Sequence, residues 1–389
     1  MTTRLSEDDI YRTSTQYRLW SYSPAQLAAQ RKKTHELAIA RARQNASKDG
    51  EQNGASDLEY LTEEEELQLV QRYCGNIRSV ADHLKWPMNV KTTAVQYLKR
   101  FYLSNSCMTY PPKEIYKTAL FLASKTEAIH ITVPKFAASI SADADAILAP
   151  EYKVMQALRF TLDVRQPFRG LKGALMELMN MAEGLMGTLS NTEQKTGKEV
   201  QAAMLALKLP PPGSKTPWKA PSGTLTPTHL NDRIRAAYDA ARHLLDAPAS
   251  LTDAYFLYTP SQILLAALHL SDEPLTSFYL DTKLPTTSPH RSKILSTIQS
   301  GAEMLASYNP KGMSKEERDA LEKKLDRCRD PTTKDLIKSH AAMKRNGVEE
   351  GKLDEEKSKR RKLEREKSSK EMDDLFGPSL AGGKANGNG

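Results

Sequence analysis

With 389 residues, 39% of them hydrophobic, the chain is long enough to fill two domain cores and still carry terminal extensions. No apolar run is long enough to cross a bilayer and the amino terminus lacks the apolar core of a secretion signal, so a soluble intracellular protein with no membrane partner is expected. The net charge of +8 raises nucleic acid as a partner, but the lysines and arginines cluster in tails and on helix faces, the pattern of a solvated surface, and no direct nucleic-acid contact is expected.

The three cysteines, Cys74, Cys107 and Cys328, are far apart and odd in number. That argues against a disulfide framework and a CxxC zinc site; they read as reduced thiols, with Cys74 a small core residue. Phosphate-loop, HExxH, GxSxG and Gly-rich dinucleotide patterns do not occur, and the eight histidines lack metal-ligand spacing. His83, His130 and His269 read as packing or surface residues. No catalytic residue, metal or cofactor is expected.

In chain order, residues 1–57 form an amino-terminal extension. Ser23 and Pro24 suit a helix start, and Gln26 to Arg43 has high helix propensity with a thin apolar face of Leu27, Leu37 and Ala38. Such a helix is stable mainly when docked, and Trp20 and Tyr22 just before it are candidate anchors. From Leu67 to Leu84, apolar residues recur at three- and four-residue steps after the acidic start Glu63 to Glu66, predicting a first long helix. Further helices are predicted over Val90 to Ser104, Pro112 to Lys125, Val133 to Ile140 and Asp145 to Arg159. The third of these five begins on Pro111-Pro112 and is apolar over most of its circumference, as suits a central helix.

From Pro167 the helix order begins again. Leu171, Leu175, Leu178, Met181 and Leu185 mark a long helix. Leu230 to Leu245 and LTDAYFLYTPSQILLAALHL mark two more, the second with Thr259 as N-cap and Pro260 at its first position. A helix through Ile294, Ile298 and Leu305 closes the second bundle. No period of two is sustained, so the fold class is all-α: two five-helix repeats, 58–163 and 164–310, with extra helices at both ends. Residues 186–227 read as an insertion or flexible loop holding a short helix from Glu199 to Leu209. Residues 311–345 form a carboxyl-terminal helical segment, and 346–389 a charged, disordered tail. Within that tail Lys357, Lys359, Arg360, Arg361 and Lys362 read either as a nuclear localisation signal or as a solvating charge run.

The stretch AVQYLKRFYLSNSCMTYPPKEIYKTALFLASKTE, residues 94 to 127, resembles the cyclin box. The resemblance rests on Tyr97, Phe101 and Tyr102, the Ser104-Asn105-Ser106 turn, the small-residue helix Ala119 to Ser124, and Lys125 with Glu127. It covers about residues 60 to 305. TQYRLWSYSPAQLAAQR and LTDAYFLYTPSQILLAAL are similar to segments of the cyclin H branch, the regulatory partners of the CDK-activating kinase, and Asp373-Asp374-Leu375-Phe376 resembles that branch's acidic-apolar end. The resemblance implies tandem cyclin boxes, no catalysis of its own, a nuclear location, and partners that include a cyclin-dependent kinase, a RING-finger assembly factor and the TFIIH core. The kinase's substrates would then be CDK activation loops and the RNA polymerase II carboxyl-terminal repeat. A cyclin C-like subunit of the Mediator kinase and a TFIIB-type DNA-bound factor are the alternatives; the YRLWSYS start and charged tail disfavour the first, and three dispersed cysteines cannot build the zinc ribbon of the second.

By the same resemblance Lys125 and Glu151 match positions that contact the kinase, and Leu122, Met155, Phe160 and Leu162 match positions that supply apolar contacts. Read without the family, Lys125 and Glu151 simply complement helix dipoles, and the four apolar residues are core, some of them expected to lie at a bundle surface as well. One departure is Ala128, where relatives often carry a second acid. Trp20 either packs within the chain, the favoured reading, or touches a partner. Ser23-Pro24, Thr226-Pro227 and Ser288-Pro289 fit the minimal preference of proline-directed kinases.

Overall fold

The computed structural model describes residues 7–48, 59–188, 194–284, 286–309, 312–333 and 336–338. The basic run at 357–362, the 373–376 end and the whole tail 346–389 lie outside the described residues. Every regular element among the described residues is helical. None of these helices is long and apolar enough to cross a membrane.

The amino-terminal helices are α1 Glu7–Thr13, α2 Thr15–Trp20 and α3 Pro24–Lys48. Helix α3 starts where Ser23 caps it: Gln26 N–H donates to Ser23 Oγ at 3.3 Å while Gln26 Oε1 accepts from Ser23 N–H at 2.9 Å. Leu27 and Ala38 of its expected apolar face are buried, whereas Leu37 points to solvent, because α3 packs with one side on the body, over α4, α5 and the 331–333 turn.

The first bundle comprises α4 Glu63–His83, α5 Met88–Ser104, α6 Pro112–Thr126, α7 Val133–Ser139, α8 Ala144–Leu148 and α9 Glu151–Ala157. Thr62 and Glu65 cap α4 reciprocally, satisfying two backbone donors that the first turn leaves open. Helix α6 lies against α4, α5, α8 and α9 and buries Ile115, Leu120, Phe121 and Leu122 with small residues between them, as its all-round apolar pattern predicts. The helix expected over Asp145 to Arg159 is instead two helices, since Pro150 between them has no N–H and its ring obstructs a continuous ladder.

The second bundle comprises α10 Phe168–Ala182, α11 Gly197–Leu205, α12 Pro227–Leu244, α13 Ala254–Leu257, α14 Pro260–Ser271, α15 Glu273–Lys283 and α16 Arg291–Ala306. Helix α14, capped by Thr259 and Gln262, is its centre and touches α10, α12, α15 and α16. Two expectations are corrected here and one helix is added. Helix α10 stops before Leu185 because Gly184 takes a left-handed φ of +74°, and Leu185 is exposed. Helix α15, absent from the sequence reading, is capped by Asp272, whose side chain accepts the Leu275 N–H. Finally, the described part of 186–227 is not a free loop: Val200 and Met204 are buried in the main core, and Lys215 N–H donates to the Leu270 carbonyl at 2.9 Å.

Helix α17, Lys315–Cys328, returns the chain to the first bundle, where Tyr73 O–H donates to Glu322 at 2.9 Å and Arg329 grips Glu114 with two bonds of 2.6 and 2.9 Å. The two bundles are joined by buried charge. Arg78 and Lys91 of the first bundle meet Asp246 at 2.8 and 3.1 Å. Asp253 takes two bonds from Arg31 of α3, at 2.8 and 2.7 Å, with the Lys99 amine 3.7 Å away. Burial raises both carboxyls, but the facing guanidinium and amine groups outweigh it and hold them below the usual carboxylate range.

Candidate functional site

Helix α6 ends next to the start of α9, and that junction joins two of the residues singled out by sequence. Lys125 sits in the last turn of α6, where a cation meets the negative end of the helix dipole; Glu151 is the first residue of α9, where an anion meets the positive end. Their side chains pair with each other, Nζ to Oε1, at 2.5 Å, and the Lys125 amine also lies 4.5 Å from the Phe121 ring centre. With 44% of the Lys125 side chain and 19% of that of Glu151 exposed, the pair is open on one side to a third group.

The four apolar candidates divide. Leu122 is buried in the core, with 3% of its surface exposed. Met155 and Leu162 are partly buried against the core. Phe160 is 60% exposed, and its ring lies 6.3 Å from that of Tyr152, which is 48% exposed. Tyr152 was missed in the sequence. The signal was there: by helical period it faces away from the buried positions Val154 and Leu158.

Phe160 is displayed by an unusual turn. Arg159 and Phe160 are both left-handed, with φ of +52° and +53°, although neither is glycine; each such residue costs about 1–2 kcal/mol. The turn's amides are nevertheless satisfied, Arg159 N–H on Gln156, Phe160 N–H on Met155 and Thr161 N–H on Leu158, all at 2.9 Å. Tyr97 O–H donates to the Leu162 carbonyl at 2.5 Å.

Trp20 is 2% exposed, and its indole N–H donates to Thr161 Oγ1 at 3.0 Å. The Arg100 and Arg159 guanidiniums lie 5.0 and 5.2 Å from its ring. Its apolar neighbours are Leu27, Leu103 and Phe256, so it reaches the second bundle as well as the first. Tyr22 stands edge-on to Phe256 at 6.1 Å, and its N–H donates to the Phe256 carbonyl at 2.8 Å.

Glu127 faces inward, accepting from Asn89 at 2.6 Å and Thr93 at 2.7 Å. Ala128 takes a left-handed φ of +58°, placing the departure from the family pattern two residues beyond the end of α6. The three cysteines are free and buried. Burial pushes the Cys74 thiol up to about 12 and raises those of Cys107 and Cys328 as well, so all three are protonated and poor nucleophiles at neutral pH. Among the described residues no group of His, Cys, Asp or Glu is arranged to hold a metal ion.

Two helical bundles in tandem define an all-α protein of the cyclin type. The descriptions "Cyclin, N-terminal domain" and "Cyclin C-terminal domain" match residues 46–163 and 166–306, and the chain belongs to the cyclin family. Cyclin CCL1 of Saccharomyces cerevisiae is 33% identical over 292 residues, 73% of this chain and 63% of that protein's length. Cyclin-H1-1 of Arabidopsis thaliana is 26% identical over 82% of this chain and 88% of its own. Among solved structures, a chain of the CAK complex from Chaetomium thermophilum bound to ATP-gamma-S superposes with a TM-score of 0.70 at 34% identity, covering 89% of this chain and 96% of that one. A chain of the yeast TFIIK (Kin28/Ccl1/Tfb3) complex gives 0.53 at 29% identity, covering 76% and 100%. The chain is thus a homologue of the cyclin H group and of the cyclin subunits of CAK and TFIIK.

Proposed function

We propose that this chain is the regulatory cyclin of a CDK-activating kinase and binds the kinase small lobe through the face carrying Lys125, Glu151 and Phe160, with Met155 and Leu162 behind them. The observation that carries the reading is the junction of α6 and α9, where a half-open charged pair stands near an exposed aromatic pair in a homologue of CAK cyclins. Protein kinases need a Lys–Glu ion pair assembled before phosphoryl transfer. A surface that fits only the assembled arrangement raises its population by the difference between its affinities for the two states.

On this reading the chemistry belongs to the kinase and the chain contributes no catalytic residue. Lys125 and Glu151 meet charged partners across an interface of roughly 1,600 Å² or more, with a few residues dominating the energy. A RING-finger assembly factor completes a trimer that also serves within TFIIH, acting in the nucleus on CDK activation loops and the polymerase repeat. The test is activation of the purified catalytic subunit by the wild-type chain and by the Lys125→Ala, Glu151→Ala double variant at matched helical content. Strong activation by wild type, lost in the variant, is expected. No binding by the wild type, even with the assembly factor present, overturns the proposal.

A further inference from the structure

The left-handed pair Arg159-Phe160 needs a reason to persist, since strained non-glycine residues survive only where their surroundings over-determine them. Much of the surroundings comes from the amino-terminal extension rather than from the cyclin boxes. Gln16, wholly buried on α2, accepts the Arg165 N–H at 2.7 Å through its Oε1, which also takes a 3.3 Å bond from Arg100. Arg100 donates in turn to the Asp163 carbonyl at 3.3 Å. One helical turn further, Trp20 bonds to Thr161 and is flanked by Arg100 and Arg159. Residues 159 to 165 are therefore held at Arg159, Thr161, Asp163 and Arg165 by α2 or by the arginine it stacks on, while Phe160 alone among these faces solvent with an aromatic ring.

We propose that Gln16 and Trp20 are positioning residues for the partner-binding face: α2 locks the 159–165 turn in the conformation that displays Phe160, and the lock sets affinity for the kinase without touching it. The inference rests on the kinase-binding reading above. Because α2 is joined to the boxes only through the chain before α4, the display of Phe160 becomes conditional on the docking of a separate segment. A tryptophan that merely adds buried area would instead spread its effect over global stability.

The experiment uses the full chain with Trp20→Phe, Thr161→Val, the two combined, and Phe256→Leu, which loosens the same small core away from the turn. Hydrogen exchange of residues 159–163 is measured on the free chain, and kinase affinity by calorimetry. Trp20→Phe and Thr161→Val are each expected to speed exchange at the turn but not in α5; Trp20→Phe should weaken kinase binding about 5- to 10-fold, the loss of one hydrogen bond, and Thr161→Val by at least as much, because it also removes the Thr161 O–H bond to the Leu158 carbonyl at 2.8 Å. The combined variant is expected to be no worse than Thr161→Val alone, since Trp20→Phe removes only the indole bond that Thr161→Val already removes, and Phe256→Leu to lower the melting temperature with affinity within twofold. Unchanged turn exchange, unchanged affinity, additive losses, or an equal loss from Phe256→Leu would each overturn the lock. If wild type binds no kinase, the function proposed above falls and the lock's role falls with it, an outcome distinct from wild-type binding that the variants leave untouched.

Discussion

Asp253→Asn removes the carboxylate on which α3, the first bundle and the second bundle converge. Arg31 loses a charged acceptor for two bonds of 2.8 and 2.7 Å, and the buried Lys99 amine loses its nearest counter-charge, 3.7 Å away, keeping only the Ser250 and Thr252 carbonyls. Breaking a buried pair costs about 3–5 kcal/mol. Because the Arg31 and Asp253 side chains retain 20% and 29% exposure, solvent screening lowers the expectation to about 2–3 kcal/mol, or a fall in Tm of about 5 °C for a chain of this size. Thermal and urea unfolding followed by far-UV circular dichroism measure it. The pH dependence supplies a second test. Burial raises the Asp253 carboxyl, but its bonds to Arg31 and the charges of Lys99 and Arg31 outweigh this, so its folded pKa lies below the ordinary 3.8. A depressed folded pKa contributes stability that is full above the unfolded value, about 3.9, and is lost as pH falls through the folded one. The gap between wild type and Asp253→Asn should therefore be constant near neutrality and close below about pH 4. Adding Lys99→Met should recover part of the loss, because the stranded charge goes with it. A gap under about 0.5 kcal/mol at pH 7, set against the 2–3 kcal/mol expected from the buried pair, or one that persists unchanged at pH 3, would refute the reasoning.

Asp272→Ala should cost about 3–5 kcal/mol in urea unfolding, since Arg233 and Asp272 are both fully buried and joined by bonds of 2.7 and 2.8 Å; Arg233→Met combined with Asp272→Leu should be milder. Glu151→Ala should change the chain's own stability by under about 1 kcal/mol, because its pair with Lys125 is partly exposed, while kinase affinity falls at least tenfold. Equal and small effects on both would remove Glu151 from the interface. Met204→Ala should cost about 2–5 kcal/mol, because the residue is buried in the main core; a silent substitution would restore the reading of 186–227 as a flexible loop.

Local signals carried most of the helices. Thr259 with Gln262, Ser23 with Gln26, and the acidic start of α4 are start signals written within four residues, and α6 announced its central place by being apolar all round. The same kind of signal marked α15, where Asp272 precedes Pro274 and Leu275, and the break at Pro150; both were legible and were passed over because the flanking apolar pattern was short. The family resemblance brought Lys125 and Glu151 into view as a pair, and Phe160 as a contact.

What tertiary structure alone decided is which distant groups meet. Arg31 and Asp253 are 222 positions apart and Trp20 and Thr161 are 141 apart, so no periodicity or cap rule links them. Their pairing depends on how two bundles and an extension pack, and the charge of each side chain is only tolerable once the partner arrives. Likewise the sequence determined that Phe160 follows a helix, but its exposure follows from a left-handed turn that local propensity opposes and that contacts from α2 hold in place. Short-range backbone preferences are encoded by neighbours; burial, charge pairing and strain are properties of the assembled core.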